Sequence, residues 1–402
     1  MQDYVDILGS EGPLAVALDD FTAREAQQAM AQAVAQAIEQ TDTLVCEAGT
    51  GTGKTYAYLT PALLSKRRVI LSTGTKHLQD QLYHRDLPVL RRALGSPAKV
   101  ALLKGRGNYL CLHRFDLSQQ ENNLSSQQQV REFKAVQAFR QQTHSGDLGE
   151  LEALAEDSPL RPQITSTIDN CLGSECPEYN NCFVLKARRN AQAADVVVVN
   201  HHLLLADMVL KQEGFGELLP GADAVVVDEA HQLPDLVGQY FGDAFSSRQV
   251  LELVRDTRTE LISQSINDVT LDRQLDTLDK ARRDARLTLG IDMGRRAWEN
   301  IESSRLQTAI DELSSELEAL IEQLTPLKDQ SRGIDNCQRR AQLLYERLAC
   351  FSETDTAQFV HWCEVYKQSF VFNRTPVQVA ERFRERLEAD NCAWIFASAT
   401  LA

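Results

Sequence analysis

The sequence has no apolar run approaching the roughly 18 residues that a membrane-spanning helix needs. Its N-terminus, MQDYVDILGSEGPLAVAL, carries acidic residues where a secretory leader would carry basic ones. It also lacks a basic excess: 42 Lys and Arg stand against 57 Asp and Glu, a net charge of −15. That balance argues against a protein that coats nucleic acid with a broad basic face, while leaving room for a narrow basic channel. Basic residues do gather locally, at Lys99, Lys104 and Arg106 and again at Lys186, Arg188 and Arg189. Cysteine is sparse and odd in number, nine in 402 residues. This speaks against a disulfide framework and for a cytoplasmic chain with no membrane partner. Three of the nine nevertheless fall within CLGSECPEYNNC, at Cys171, Cys176 and Cys182, which turns the question from staples to metal or redox chemistry.

What is present is an α/β pattern long enough for two or three domains. In FTAREAQQAMAQAVAQAIEQ, Met30, Val34 and Ile38 recur at helical spacing. Six short apolar runs follow: TLVCEAG (43–49), RVILST (68–73), KVALLKG (99–105), DVVVVN (195–200), DAVVVDE (223–229) and AWIFASAT (393–400). Apolar on consecutive residues, they predict strands buried on both faces, hence a parallel sheet with helices between. Two long interruptions break the pattern. One, about 105–194, holds the cysteine cluster. The other, about 235–390, predicts helices, with Leu306, Ile310, Leu313, Leu317, Leu320 and Leu324 forming an apolar seam. A helical hairpin or small bundle is the expected use of that seam.

AGTGTGKT (Ala48, Gly49, Thr50, Gly51, Thr52, Gly53, Lys54, Thr55) follows the first strand and opens a helical run. It matches the P-loop pattern, with Ala48 at the usual first glycine. Glycines let backbone N–H groups curl around phosphates without Cβ clashes. Lys54 is placed to reach the β- and γ-phosphates and Thr55 to ligate Mg²⁺. VVVDEAH (225–231) ends another strand, and carboxylates at strand carboxyl ends sit where parallel sheets bind ligands. Asp228 suits Mg²⁺ coordination and Glu229 suits positioning of the attacking water, with His231 beside them. Cys111, in KGRGNYLC, precedes the Cys171-x4-Cys176-x5-Cys182 triplet. Four thiolates hold either zinc or a [4Fe–4S] cluster, and spacing alone does not separate the two.

The order of these motifs resembles a superfamily 2 helicase. AGTGTGKT and DEAH are similar to its motifs I and II, STGTKHLQDQL (72–82) to motif Ia and SATL (398–401) to motif III. Arg24 and Gln27 resemble the adenine-reading residues that precede the P-loop. KGRGNYLC, the cysteine triplet, ADVVVVNHHLL and DEAH, in that order, resemble the XPD/DinG family of iron–sulfur DNA helicases. The resemblance implies Cys111, Cys171, Cys176 and Cys182 as [4Fe–4S] ligands, leaving Cys46, Cys337, Cys350, Cys363 and Cys392 as ordinary thiols. It implies that Thr73 and Thr75 touch the backbone of single-stranded DNA. Lys104 and Arg106 are candidates for a basic path, and Tyr109 for stacking on a base.

The same resemblance implies a RecA-like P-loop domain interrupted twice. Its parts are 1–104, 195–234 and 386–402, with an iron–sulfur domain at 105–194 and a helical Arch domain at 235–385. The chain stops at Ala402, directly after SATL, so the family's second motor domain and its arginine finger are expected to be missing; Arg374 is no evident substitute. Loss of such a finger costs roughly 10³–10⁵ in rate in related phosphoryl-transfer enzymes. The implied activity is ATP- and Mg²⁺-dependent 5′→3′ unwinding of single-stranded and forked DNA in repair or replication. A monomer is expected, with a replisome or repair protein as partner and weak nucleotide binding by this chain alone. A non-catalytic DNA- or partner-binding module and a zinc-binding P-loop ATPase are the competing expectations.

Overall fold

The computed structural model describes residues 3–400 apart from 20, 50, 122–125, 169, 213–217 and 352–358. Among the described residues ten strands are formed: β1 (Thr43–Glu47), β2 (Val69–Thr73), β3 (Val100–Leu102), β4 (Val196–Asn200), β5 (Ala224–Asp228), β6 (Asp243–Ser246), β7 (Gly294–Ala297), β8 (Phe359–Val365), β9 (Phe370–Pro376) and β10 (Ala393–Ser398). They divide between two compact units. The first comprises residues 1–105, 184–240 and 380–402, and the second 106–183 and 241–379.

The first unit is built on one six-stranded sheet, ordered β1-β10-β5-β2-β4-β3 and parallel throughout. Every residue of β2 and β4 is buried, as Val- and Ile-rich strands covered on both faces require. One face packs on the helices Glu25–Gln40 and Lys54–Leu64, where Met30, Val34, Ile38, Ala57 and Leu59 join Val69, Leu71, Val198 and Ile395 in a single apolar core. TLVCE departs from its expected double burial. β1 is the sheet's edge, its residues alternate between exposed and half-buried, and Val45 is 62% exposed. Having only β10 as neighbour leaves it less covered than the central strands.

The second unit joins both interruptions. Its larger part packs the helices Ser247–Ser263, Val269–Thr288, Ser304–Leu324 and Arg332–Ala349 around the expected seam, whose six apolar residues are all buried. This stretch is not helical throughout, as the sequence had suggested. It carries a four-stranded antiparallel sheet ordered β6-β9-β8-β7. Phe245, Phe370 and Phe372 on β6 and β9 are fully buried and share the bundle's core. The smaller part, 106–183, has its own small core of Leu110, Phe115, Phe133, Val136, Leu148, Leu160 and Ile164. Asp256 fastens the two parts together. It accepts hydrogen bonds from Arg114 Nη1 (2.8 Å), Arg340 Nη1 (2.7 Å) and Asn170 Nδ2 (3.5 Å).

Candidate nucleotide site and cysteine site

The P-loop joins the end of β1 to the helix Lys54–Leu64. Gly51 and Gly53 adopt φ of 81° and 82°, the left-handed region where a side chain would be strained. At Gly53 a Cβ would also collide with the Gln27 side-chain amide. Gln27 is buried, and its Nε2 donates to the Gly53 carbonyl at 2.9 Å. Its Oε1 is buried without a hydrogen-bond partner. Arg24 is exposed and precedes the helix Glu25–Gln40. Within the loop, Thr52 Oγ1 donates to the Gly49 carbonyl (2.8 Å) and Lys54 Nζ to the Ala48 carbonyl (2.8 Å). Thr50 lies outside the described residues.

The DEAH segment leaves the carboxyl end of β5 and faces this loop. Asp228 Oδ2 accepts a 2.8 Å hydrogen bond from the Tyr58 hydroxyl, and its Oδ1 accepts the Glu229 backbone N–H at 3.0 Å. Burial raises the Asp228 pKa above the ordinary carboxylate value, and the Glu229 charge adds to the rise. The Tyr58 hydrogen bond and the Lys54 charge pull against it. Tyr58 is buried, with Thr55 one helical turn before it, and its phenol braces Asp228, one of the two residues expected at Mg²⁺. Burial beside Asp228 pushes its own pKa well above 10. Glu229 has φ of 54°, left-handed for a non-glycine residue, and such strain is often found at functional sites. His231 Nδ1 lies 3.0 Å from Ser398 Oγ at the end of β10 and 3.4 Å from Glu229 Oε2. Ser398 thus touches DEAH, while the last expected motif residue, Leu401, lies outside the described residues.

Sequence reasoning missed Tyr58, which reads as one more apolar residue of its helix. The expected DNA contacts fare unevenly. Thr75 is exposed and its Oγ1 caps the helix Lys76–Gln81 by accepting from Leu78 N–H at 3.2 Å. Thr73 is buried and its hydroxyl donates to the Thr75 carbonyl at 3.2 Å. Lys104, in the first unit, is buried with its ammonium 2.7 Å from Asp80 Oδ1, so it is not offered openly to a phosphate. In the second unit, Arg106 Nη1 is 3.4 Å from the Thr167 carbonyl. Tyr109 is buried, so its ring is not offered openly to a base; its backbone pairs with that of Asp147.

Cys111, Cys171, Cys176 and Cys182 all lie in the second unit, half-buried and free of disulfides. Cys111 immediately precedes the helix Leu112–Glu121, and its thiol receives the Arg114 backbone N–H. Burial pushes the Cys111 thiol up, the Arg114 backbone and charge pull it down, and Cys171 and Cys182 push it further up. Burial pushes the Cys176 thiol up to about 11, against the Glu178 backbone N–H, and the other three thiols add to the rise. The four thus share one electrostatic neighbourhood. Among the described residues no three His, Cys, Asp or Glu side chains are gathered so as to hold a metal ion. The donor set itself, four sulfurs with no carboxylate or imidazole, is one that suits an iron–sulfur group. Cys337 and Cys363 are buried in the bundle core.

A glycine-bent loop between strand and helix, facing an Asp-Glu pair at the end of a central parallel strand, defines a P-loop nucleotide-binding domain. The model of the DEAD/DEAH box helicases matches residues 25–106, and that described as DEAD_2 matches residues 77–250. The chain is 45% identical to the ATP-dependent DNA helicase YoaA of Escherichia coli (strain K12) over 99% of its own length and 63% of that protein's. It is 42% identical to the YoaA of Haemophilus influenzae over 98% of its length and 62% of that protein's. To the ATP-dependent helicase DinG of Mycobacterium tuberculosis (strain ATCC 25177 / H37Ra) it is 40% identical, over 56% of this chain and 36% of that one. The chain is thus similar to DEAD/DEAH box helicases, and to helicases named YoaA and DinG among them. It spans less than two thirds of the length of these curated relatives.

Proposed function

We propose that this chain is the nucleotide-binding motor domain, with its cysteine-bearing and helical insertions, of an ATP-dependent DNA helicase that moves 5′→3′ on single-stranded and forked DNA. The observation that carries the reading is the convergence of Lys54, Glu229 and the buried Tyr58 hydroxyl on Asp228, with His231 tied to Ser398. Backbone N–H groups of 49–54 and the Lys54 ammonium would hold the phosphates. Thr55 and Asp228 would hold Mg²⁺, and Glu229 would orient the attacking water. The free acceptor Gln27 Oε1 would meet the adenine amino group while Nε2 stays on the P-loop. The exposed Thr75, at the carboxyl edge of the sheet, would touch the DNA backbone, giving sequence-independent and salt-sensitive binding.

The four thiolates Cys111, Cys171, Cys176 and Cys182 would hold a [4Fe–4S] cluster. Four sulfurs are a donor set that suits such a cluster, and a lone zinc is the competing occupant. When bound, the cluster would cross-link the start of the helix Leu112–Glu121 to the turns around 171–182. Cytoplasmic repair or replication work, by a monomer that meets a replisome or repair partner, is the setting proposed.

Titration with a fluorescent ATP analogue and Mg²⁺ tests the nucleotide part. Lys54→Ala is expected to weaken binding at least ~10-fold, because it removes a charge-assisted contact to phosphate. Binding indifferent to Lys54→Ala would sink the reading. Anisotropy with a labelled single-stranded oligonucleotide at rising salt tests the DNA part.

A further inference from the structure

His201 stands at the junction between the nucleotide site and the segment proposed to touch DNA, and neither P-loop nor DEAH chemistry accounts for it. It follows directly on β4, and the sheet order β5-β2-β4 sets β2 between its strand and the DEAH strand. Ser72 is in register with Val199 of β4 on one side and with Val227 of β5 on the other. The ring reaches across this tip. His201 Nδ1 is 2.7 Å from Ser72 Oγ. Nε2 is buried without a partner in hydrogen-bond geometry, although the Asp228 backbone is near enough to favour the charged ring. The residue is fully buried. Burial presses its pKa down to about 4, and the neighbouring His202 and His231 add to the fall, so the ring is neutral at physiological pH and acts through hydrogen bonding and shape.

A second contact runs beside it. A Cβ on Gly74 would collide with the Gln232 side-chain amide, so the residue after DEAH packs against the backbone two residues beyond Ser72. Between them, Thr73 closes onto the Thr75 carbonyl and Thr75 caps the next helix. The segment 72–75 therefore meets His201 at Ser72 and Gln232 at Gly74; Gln232 directly follows DEAH, and the Asp228 backbone lies near the His201 ring. A displacement of the DEAH segment would be carried to the segment 72–75 through these direct contacts.

We propose that His201 is a positioning residue that couples the occupancy of the nucleotide site to the placement of the segment Ser72–Thr75, and so to single-stranded DNA affinity. The inference rests on the nucleotide and DNA assignments above. Linkage makes it measurable without turnover: if bound nucleotide changes DNA affinity by some factor, DNA changes nucleotide affinity by the same factor.

The test uses the 402-residue chain, a fluorescent ADP or non-hydrolysable ATP analogue with Mg²⁺, and a labelled single-stranded oligonucleotide. Each affinity is measured with and without the other ligand. In the parent chain a coupling factor of about 5-fold or more is expected. His201→Leu fills much of the ring's volume but removes its hydrogen bonds. It is expected to bring the factor to within about 2-fold of unity while each separate affinity stays within about 2-fold of the parent. Ser72→Ala removes only the hydroxyl from the same pair and is expected to lower the factor too; it serves where His201→Leu does not fold. Coupling that survives both changes overturns the role of His201 alone. Coupling lost only in step with nucleotide binding itself also overturns it, since that marks a merely structural residue. A parent chain that binds nucleotide but no DNA overturns the functional reading beneath it.

Discussion

Arg114 donates to Asp256 Oδ1 at 2.8 Å across 142 residues of sequence. Arg114 lies three residues after Cys111, and Asn170, which also reaches Asp256, lies one residue before Cys171. One carboxylate on the helix Ser247–Ser263 therefore holds both arms of the cysteine-bearing segment, with Arg340 from the helix Arg332–Ala349 completing the cluster. Arg114, Asp256 and Arg340 side chains are 16%, 11% and 6% exposed. At that depth, removing one partner strands the others' charge, at a cost of about 3–5 kcal/mol. Asp256→Ala should therefore lower the urea midpoint of the second unit sharply, whereas Arg258→Ala, in an exposed pair on the same helix, should change it little. Equal midpoints for the two variants would refute the latch.

The same carboxylate predicts an acid-sensitive junction. Burial alone would raise the Asp256 pKa, but Arg114 and Arg340 outweigh it and hold the group below its usual value. A carboxyl depressed in the folded state stabilises fully above its unfolded pKa of about 4, and that share is lost as pH falls through the folded value. The stability gap between the parent chain and Asp256→Asn should be constant from pH 7 to about 5, then narrow as pH drops below about 4. Urea unfolding at successive pH values checks this, and a gap that widens in acid would reverse the sign.

Gly53 makes a local prediction at the P-loop. Its φ of 82° and the Gln27 amide beside it leave no place for a methyl group. Gly53→Ala should cost about 1–3 kcal/mol of stability and reduce affinity for the nucleotide analogue by more than about 10-fold, since the loop must move. Gln27→Ala should reduce affinity for ATP more than for GTP if Oε1 meets the adenine. Equal losses for the two nucleotides would leave Gln27 as a brace of the loop only.

The P-loop, the DEAH strand and the helical seam were legible because each is a contiguous pattern with one physical cause: phosphate curvature, a buried parallel strand, a 3–4 apolar period. What escaped depends on distance in sequence. Tyr58 meets Asp228 over a separation of 170 residues, and inside YAYLT a buried tyrosine looks like core. Lys104 and Tyr109 read as exposed because basic and aromatic residues cluster there, yet both are buried, Lys104 against Asp80. The sheet of β6 to β9 had a local signal, since FVFNRTP buries Phe370 and Phe372 two residues apart. The long helices around it set the expectation instead.

The thiols separate by environment. Cys171→Ser should abolish the visible absorption of anaerobically purified or reconstituted protein and most of its iron and sulfide. Cys350→Ser, half-buried at the end of a helix, should leave both unchanged. Zinc in place of iron in the parent protein would overturn the cluster assignment while leaving the four-ligand set intact.

Tyr58 carries the sharpest prediction at the nucleotide site. Its hydroxyl donates to Asp228 Oδ2 at 2.8 Å, so it orients one of the two side chains proposed to hold Mg²⁺. Partners of that kind fix the ligand's geometry, and losing one typically costs 10–100-fold in metal affinity. Tyr58→Phe keeps the ring's volume in the core and removes only the hydroxyl. A stability loss of about 1–3 kcal/mol should follow, because an already desolvated carboxylate loses a donor. The Mg²⁺ concentration needed for half-maximal nucleotide binding should rise about 10-fold or more. Nucleotide affinity measured without Mg²⁺ should change little, since the P-loop contacts are untouched. If Mg²⁺-free binding falls as far as Mg²⁺-dependent binding does, Tyr58 supports the fold of the loop and does not orient Asp228 for the metal.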